Sequence, residues 1–188
     1  MPELPEVQTI VNDLSRRILG RRIIRAWCDW PKMIKGMSLT EFSANLYGAK
    51  IAGVGRRGKN ILFYLNKKQR TRNAGLALLI HLKMTGHLLL GKWRRTGGSW
   101  RSLEAGPTGE KVNGYIHLMF FLDNGQMLAL SDLRKFAKVM AGRGGEVLNS
   151  PEIKSLGPEP LSRELTREKL GEILKKRRAK IKQVLMDQ

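Results

Sequence analysis

The chain has one cysteine, Cys28, and three histidines, His81, His87 and His117. A single cysteine excludes an internal disulfide and any cysteine-based zinc cluster within this chain, and three scattered histidines offer no metal-ligand spacing. No metal site or cofactor is therefore expected from these residues. No apolar run reaches the length of about 18 residues that a membrane helix needs. The start carries Glu3 and Glu6 rather than a signal-like apolar core, so a cytosolic location is expected. Acidic residues are scarce too: 16 Asp plus Glu face 35 Lys plus Arg, a net charge of +19. Such an excess points to a polyanionic partner, because each cation placed on a phosphate releases condensed counterions. Nucleic acid is favoured over a membrane surface. With 188 residues the chain can bury a real core in one or two domains.

The opening stretch is Met1-Pro2-Glu3-Leu4-Pro5-Glu6-Val7. Removal of the initiator methionine would leave Pro2 with the chain's free amine. A terminal amine has a reference pKa of roughly 7.7–8.0, against about 10.4 for lysine, so more of it is neutral near physiological pH. A neutral secondary amine can attack a carbonyl carbon and form an iminium, an electron sink for breaking neighbouring bonds. Glu3 supplies a carboxyl for proton transfer. Read alone, a proline near a helix start with glutamates in the first turn is also ordinary helix punctuation.

From Pro5 onward Val7, Ile10, Val11, Leu14 and Ile18 recur at helical spacing up to Gly20. The positive end of this helix dipole would favour Glu3 and Glu6 as carboxylates. Ile23–Trp30 reads as a strand, and Ser38 with Glu41 has capping-box spacing for a short helix. Lys50–Gly55 and Asn60–Leu65 read as a hairpin across Arg56-Arg57-Gly58-Lys59. Leu76–Leu82 reads as a strand buried on both faces, followed by a strand over His87–Trp93. Arg94–Gly114, with Gly97-Gly98 and Pro107, reads as a long surface loop. Tyr115–Leu122 and Gln126–Leu130 form a second hairpin across Asp123-Asn124-Gly125, and Ala137–Ala141 is one more strand. Many strands with few helices predict an α+β chain: an antiparallel β-sandwich or barrel flanked by helices. The expected boundaries are a β domain over 1–145, a linker over 146–160, and the start of a helical domain over 161–188. In that last part Leu170, Ile173 and Leu174 make one apolar face and Ile181, Val184 and Leu185 another, separated by Lys175-Lys176-Arg177-Arg178.

Beyond the opening seven residues, five further motifs in order carry a resemblance: Arg57-Gly58-Lys59, His81-Leu82-Lys83-Met84-Thr85-Gly86, Ser131-Asp132-Leu133-Arg134-Lys135-Phe136, Leu156-Gly157-Pro158-Glu159-Pro160-Leu161, and Ile181-Lys182 through Leu185-Met186-Asp187-Gln188. Together they resemble the formamidopyrimidine-DNA glycosylases, bacterial base-excision repair enzymes that remove oxidised purines such as 8-oxoguanine and formamidopyrimidines. The resemblance implies a bifunctional glycosylase and abasic-site lyase, monomeric, acting on duplex DNA. Pro2 would be the nucleophile, Glu3 the proton donor as the sugar ring opens, and Lys59 an assisting cation, with Glu6 in support. Met84, Arg134 and Phe136 would fill the space left by the everted base. Tyr115, His117, Lys135, Arg177 and Lys182 would lie near phosphates.

Two departures stand out. Ala137 occupies a position where the family usually has glycine, and Tyr115 stands where a phosphate-contacting histidine is usual. The family's helix–two-turn–helix also continues past Gln188, into a Gly-rich turn and a four-cysteine zinc finger, neither of which is in this sequence. The expected alternative is therefore a shortened DNA-binding module with weak or no turnover.

Overall fold

Among the described residues, nine strands with apolar residues on facing sides form two sheets around one core. The computed structural model describes residues 2–67, 75–110, 114–160 and 162–186. Met1, Leu161, Asp187 and Gln188 of the motifs lie outside the described residues, as do residues 111–113 of the expected 94–114 loop. One sheet runs in the order β1 (Ile23–Cys28), β9 (Ile116–Leu122), β10 (Met127–Asp132), β6 (Gly86–Gly91). The other runs β2 (Ile34–Lys35), β11 (Lys138–Arg143), β5 (Leu76–His81), β4 (Asn60–Asn66), β3 (Lys50–Arg57). Ile61, Phe63, Leu78, Ile80, Leu118, Phe120, Leu128 and Leu130 fill the space between them. Fully burying a side chain of this size is worth about 1.5–3 kcal/mol each.

Helix α1 (Leu4–Arg17) buries Val7, Val11 and Leu14 against β3, as its spacing predicts. Helix α2 (Leu39–Leu46) buries Phe42 and Leu46 beside β1 and β11. Its start is the expected capping box: Ser38 Oγ accepts from Glu41 N, and Ser38 N donates to Glu41 Oε2. The α+β sandwich flanked by helices is observed. One pairing departs from antiparallel order, since the two-residue β2 lies parallel to β11. So short a strand, following a 3-10 turn over Pro31–Met33, leaves no alternation to read.

The stretch expected as a loop from Arg94 is corrected in its first half. Strands β7 (Trp93–Thr96) and β8 (Ser99–Ser102) make a hairpin whose Gly97 and Gly98 have φ of 57° and 83°. Positive φ at both turn positions is what a type I′ turn needs. Trp93 and Trp100 point inward and cover Met119, Phe121 and Ala129 on the outer face of the four-stranded sheet. The rings of Trp27 and Trp100 meet edge-on at 5.2 Å. Outward Arg94 and Arg101 dilute the apolar signal, so the sequence reads as a polar loop.

Residues 144–154 fold as two short helices, α3 (Gly144–Leu148) and α4 (Pro151–Lys154). Their Val147 and Ile153 cover Leu62, Ala77 and Leu79 on the outer face of the five-stranded sheet. This is why β5 is apolar on both faces. The stretch expected as a linker over 146–160 is thus held against the sheet for much of its length. Two anchors spaced by polar residues carry no periodicity that would reveal it. Helices α5 (Arg167–Lys175) and α6 (Ile181–Met186) follow, with Thr166 capping α5. Leu170, Ile173, Leu174 and Val184 are half-buried, while Ile181 and Leu185 are exposed.

The loops joining β5 to β6 and β10 to β11 cross between the two sheets at one end of the sandwich. Gly86 closes the first crossing, and a Cβ there would lie 2.3 Å from the Leu82 carbonyl oxygen. Gly86→Ala should lower stability by about 1–3 kcal/mol, the usual range for overpacking. Gly145→Ala, whose Cβ meets nothing within 4 Å, should stay within about 0.5 kcal/mol. Urea unfolding of the two variants checks this pair.

Candidate active site

Glu3 is the N-cap of α1, and its backbone N–H donates to the Glu6 carboxylate. Across the sheet, Gly58 and Lys59 make the two-residue turn between β3 and β4, with Gly58 at φ 55°. Glycine at that position accepts the positive φ without strain. The Lys59 side chain is 8% exposed, and its Nζ lies 2.7 Å from Glu3 Oε2. Residues far apart in sequence thus form one ion pair at the start of α1. Pro2 lines an adjoining cavity of about 520 Å³ together with Glu6, Thr9, Met84, Gly86 and His87. Helix α1 is tied to β3 by Arg56 Nε donating to Gln8 Oε1 at 2.7 Å and by Ser15 Oγ donating to the Val54 carbonyl.

Glu159, quoted in a motif but given no role from sequence, holds this turn in place. Its Oε1 accepts from the Gly58 N–H at 2.6 Å and from Arg57 Nη1 at 3.2 Å, and its Oε2 from Arg56 Nη1 at 2.6 Å. Arg57 Nη2 also donates to the Gly157 carbonyl at 2.7 Å. Burial pushes the Glu159 carboxyl up, but the Gly58 N–H and the two guanidinium groups outweigh it and hold it below its ordinary range. The signal available in the sequence was a lone acid between two prolines and a turn with three cations that needs a counter-charge.

The two crossing loops are built around Asp132, which is fully buried. Its Oδ1 accepts from Thr85 Oγ1 and the Arg134 N–H, and its Oδ2 from the Ala137 N–H at 2.7 Å. Lys83 and Lys135 adopt left-handed backbone, with φ of 55° and 57°. Such residues cost of order 1 kcal/mol each and persist where surrounding bonds over-determine them. Met84 is 47% and Phe136 50% exposed, so neither is a core residue. Arg134 joins them: its Nη1 lies 3.1 Å from Met84 Sδ, and its Cζ lies 4.7 Å from the Phe136 ring centroid. Met84, Arg134 and Phe136 thus form one exposed cluster bordering the cavity that Pro2 lines. Ala137, at the usual glycine position, is buried and outside the left-handed region, so its methyl group is accommodated.

The expected phosphate-side residues fall in three places. Tyr115 is exposed, its backbone held by Ser131 and Asp132. Lys135 is exposed, with its Nζ over the Trp30 ring at 4.5 Å. His117 is turned inward instead: it is 9% exposed, and its Nδ1 is 2.8 Å from Asp29 Oδ1. Its place on β9 points it away from solvent, where Asp29 engages one ring nitrogen. Arg177 and Lys182 are exposed in the helical part; Arg177 borders a separate cavity with Leu156, Leu170 and Val184, away from Pro2.

His81 ends β5 opposite Asn60, the residue after Lys59. Its Nδ1 accepts from the Lys83 N–H at 3.0 Å. Burial, then the charges of Lys83, Lys138 and Lys59, push it down from 6.5 to about 4. Among the described residues no donor set suits a zinc ion. Cys28 is buried, with its thiol pushed up to about 11 by burial, and no three of His, Cys, Asp or Glu converge among the described residues.

Two expectations follow from these geometries. Glu159→Gln should speed hydrogen exchange at the Gly58 amide and cost about 1–3 kcal/mol, the range for hydrogen bonds to a charged group. Because the Glu159 pKa is depressed in the folded state, its contribution should hold at neutral pH and disappear only as acid protonates it. For His81 the folded pKa lies below the unfolded one, so its contribution is full above about pH 6.5 and declines as pH falls toward about 4. Unfolding midpoints measured across that window should fall less steeply in His81→Gln than in the unaltered chain.

Comparison with known proteins places the chain in a family. Residues 1–139 match the formamidopyrimidine-DNA glycosylase N-terminal domain. The formamidopyrimidine-DNA glycosylase of Desulforamulus reducens is 35% identical over all of this chain and 60% of its own length. That of Symbiobacterium thermophilum is 37% identical over all of this chain and 54% of its own. The Lactococcus lactis Fpg crystallised with abasic-site DNA superposes with a TM-score of 0.76 at 30% identity, covering 98% of this chain and 60% of that one. A second Lactococcus lactis Fpg complex, with DNA containing N7-benzyl-Fapy-dG, gives the same values. The chain spans between half and two-thirds of the length of these relatives. It belongs to the formamidopyrimidine-DNA glycosylase family.

Proposed function

We propose that this chain removes oxidised purines from duplex DNA and cleaves the resulting abasic strand, using Pro2 as nucleophile once Met1 is removed. The observation that carries this reading is the Lys59–Glu3 ion pair beside the cavity that Pro2 and Met84 share. The Pro2 nitrogen attacks the anomeric carbon of an everted nucleotide, and the C–N bond to the base breaks with its electrons leaving on the base. Glu3, as a carboxylate, takes the proton that the Pro2 nitrogen sheds on attack and gives it to the ring oxygen as the sugar opens, so the freed nitrogen lone pair forms an iminium. Loss of a proton from the adjacent carbon then expels the 3′ phosphate, and a second elimination expels the 5′ phosphate. Water hydrolyses the iminium and frees Pro2. Lys59, 2.7 Å from Glu3, helps to hold that carboxyl and to stabilise negative charge on the departing groups.

Met84, Arg134 and Phe136 enter the vacated space in the duplex, with Phe136 as the wedge and Arg134 as donor to the unpaired partner base. Tyr115, Lys135, Arg177 and Lys182 contact phosphates, and each cation adds salt-sensitive affinity. His117 orients Asp29 and the start of β9. With bacterial DNA as its substrate, the protein would act in the cytoplasm, as a monomer. A second reading, binding without turnover, draws on the basic helical part, where Arg177 and Lys182 are exposed.

Borohydride reduction in the presence of duplex containing 8-oxoguanine or an abasic site separates the two. The expected outcome is a covalent protein–DNA adduct, lost in Pro2→Gly, together with base release about 10²-fold slower in Lys59→Ala. Undiminished trapping in Pro2→Gly would remove Pro2 from its role. Salt-sensitive binding without base release or trapping would leave the binding module as the function.

A further inference from the structure

Met84 borders a second cavity, of about 540 Å³, whose lining is unlike that of the first. Five lysines face it, Lys32, Lys35, Lys83, Lys135 and Lys138, around Trp30, and no carboxylate is among its lining residues. The ammonium groups of Lys135 and Lys32 lie 4.5 Å and 5.2 Å from the Trp30 ring centroid. None of the five lysines has a salt bridge among the described residues. Burial and the charge of Lys138 push the Lys83 ammonium below its ordinary range, only partly opposed by Glu152.

Like charges gathered around one hollow repel each other and weaken the folded state unless an anion joins them. Lysine brings compact, rotatable donors suited to phosphate oxygens. The Trp30 ring already faces two ammonium groups, so it is poorly placed to stack a base. Its service is to fix the lysine stems. The position of the cavity identifies which phosphates. Met84 is shared with the Pro2 cavity, where the everted nucleotide would sit, while Phe136 and Lys135 belong to this one. A duplex that straddles the Met84–Arg134–Phe136 cluster, with its lesion toward Pro2, sets its other strand toward the lysines.

We infer that the Trp30 cavity binds backbone phosphates of the undamaged strand, opposite the nucleotide that Pro2 receives. The inference rests on the proposed DNA substrate and adds Lys32, Lys35, Lys83 and Lys138 to its contacts.

The test uses the full chain and duplexes carrying an abasic site, with uncharged methylphosphonate links placed in one strand or the other near the lesion. In Lys32→Ala/Lys35→Ala the slope of log affinity against log salt should become shallower by about 0.9 for each phosphate no longer neutralised, and Lys32→Arg/Lys35→Arg should restore it. Methylphosphonates in the undamaged strand should weaken the unaltered chain several-fold more than the double alanine variant. Those in the damaged strand should weaken both alike. An unchanged salt slope, or coupling to the damaged strand instead, overturns the inference while leaving the glycosylase reading intact. If the unaltered chain binds no such duplex even at low salt, the DNA reading itself fails and this inference falls with it.

Discussion

One carboxylate, Glu159, meets the turn on which the candidate chemistry depends. Lys59 sits on a two-residue turn beside Arg56 and Arg57, whose two guanidinium groups would repel one another without a shared anion. Glu159 supplies it, and by also accepting the Gly58 N–H it fixes the backbone of the turn itself. Arg56 passes this constraint on to Gln8 of α1, the helix that begins at Glu3. Pro2, Glu3 and Lys59 are thus referred to a common frame built from three distant parts of the chain. Prolines on either side of Glu159 restrict its backbone, so little conformational freedom is lost when the contact forms.

Asp132 performs the parallel task for the other half of the site. With no solvent to satisfy it, the carboxylate takes its hydrogen bonds from Thr85, Arg134 and Ala137 and so links both crossings between the sheets. The two left-handed lysines are the consequence. Each lies next to a side chain that the loop turns outward, Lys83 before Met84 and Lys135 before Phe136. Backbone strain here exchanges local comfort for the exposure of two large apolar groups. The same loops bring Lys83 and Lys135 to the Trp30 cavity, which is how the exposed cluster comes to stand between the cavity lined by Pro2 and Glu6 and a strongly cationic one.

Much of the β architecture was legible because its signals are local. The Asp123-Asn124-Gly125 turn, the doubly apolar β5 and the 3.6-residue spacing of α1 each carry their own evidence. Elements whose stabilising contact is remote were not legible. The β7–β8 hairpin depends on two tryptophans reaching Trp27 and Phe121, and α3 and α4 depend on Val147 and Ile153 reaching β4 and β5. Their own sequences are polar enough to read as loop and linker. At the site, Pro2, Glu3, Lys59, Met84, Arg134 and Phe136 could be singled out because residue type and motif order pointed to one chemistry. The inward turn of His117, the brace from Glu159 and the organising role of Asp132 could not.

The sequence by itself determined the strong positive charge, the adjacency of Pro2 and Glu3 at the start of a helix, and the two-layer β core through alternation and turn residues. These properties belong to residue types and short spacings, which survive without knowledge of contacts. Only the tertiary structure decided which groups meet. It paired Lys59 with Glu3, set Glu159 on the turn, buried His117 against Asp29 and gathered five lysines around Trp30. Each outcome depends on how separate strands and loops converge at one end of the sandwich, and that convergence follows from sheet pairing and core packing rather than from any local pattern.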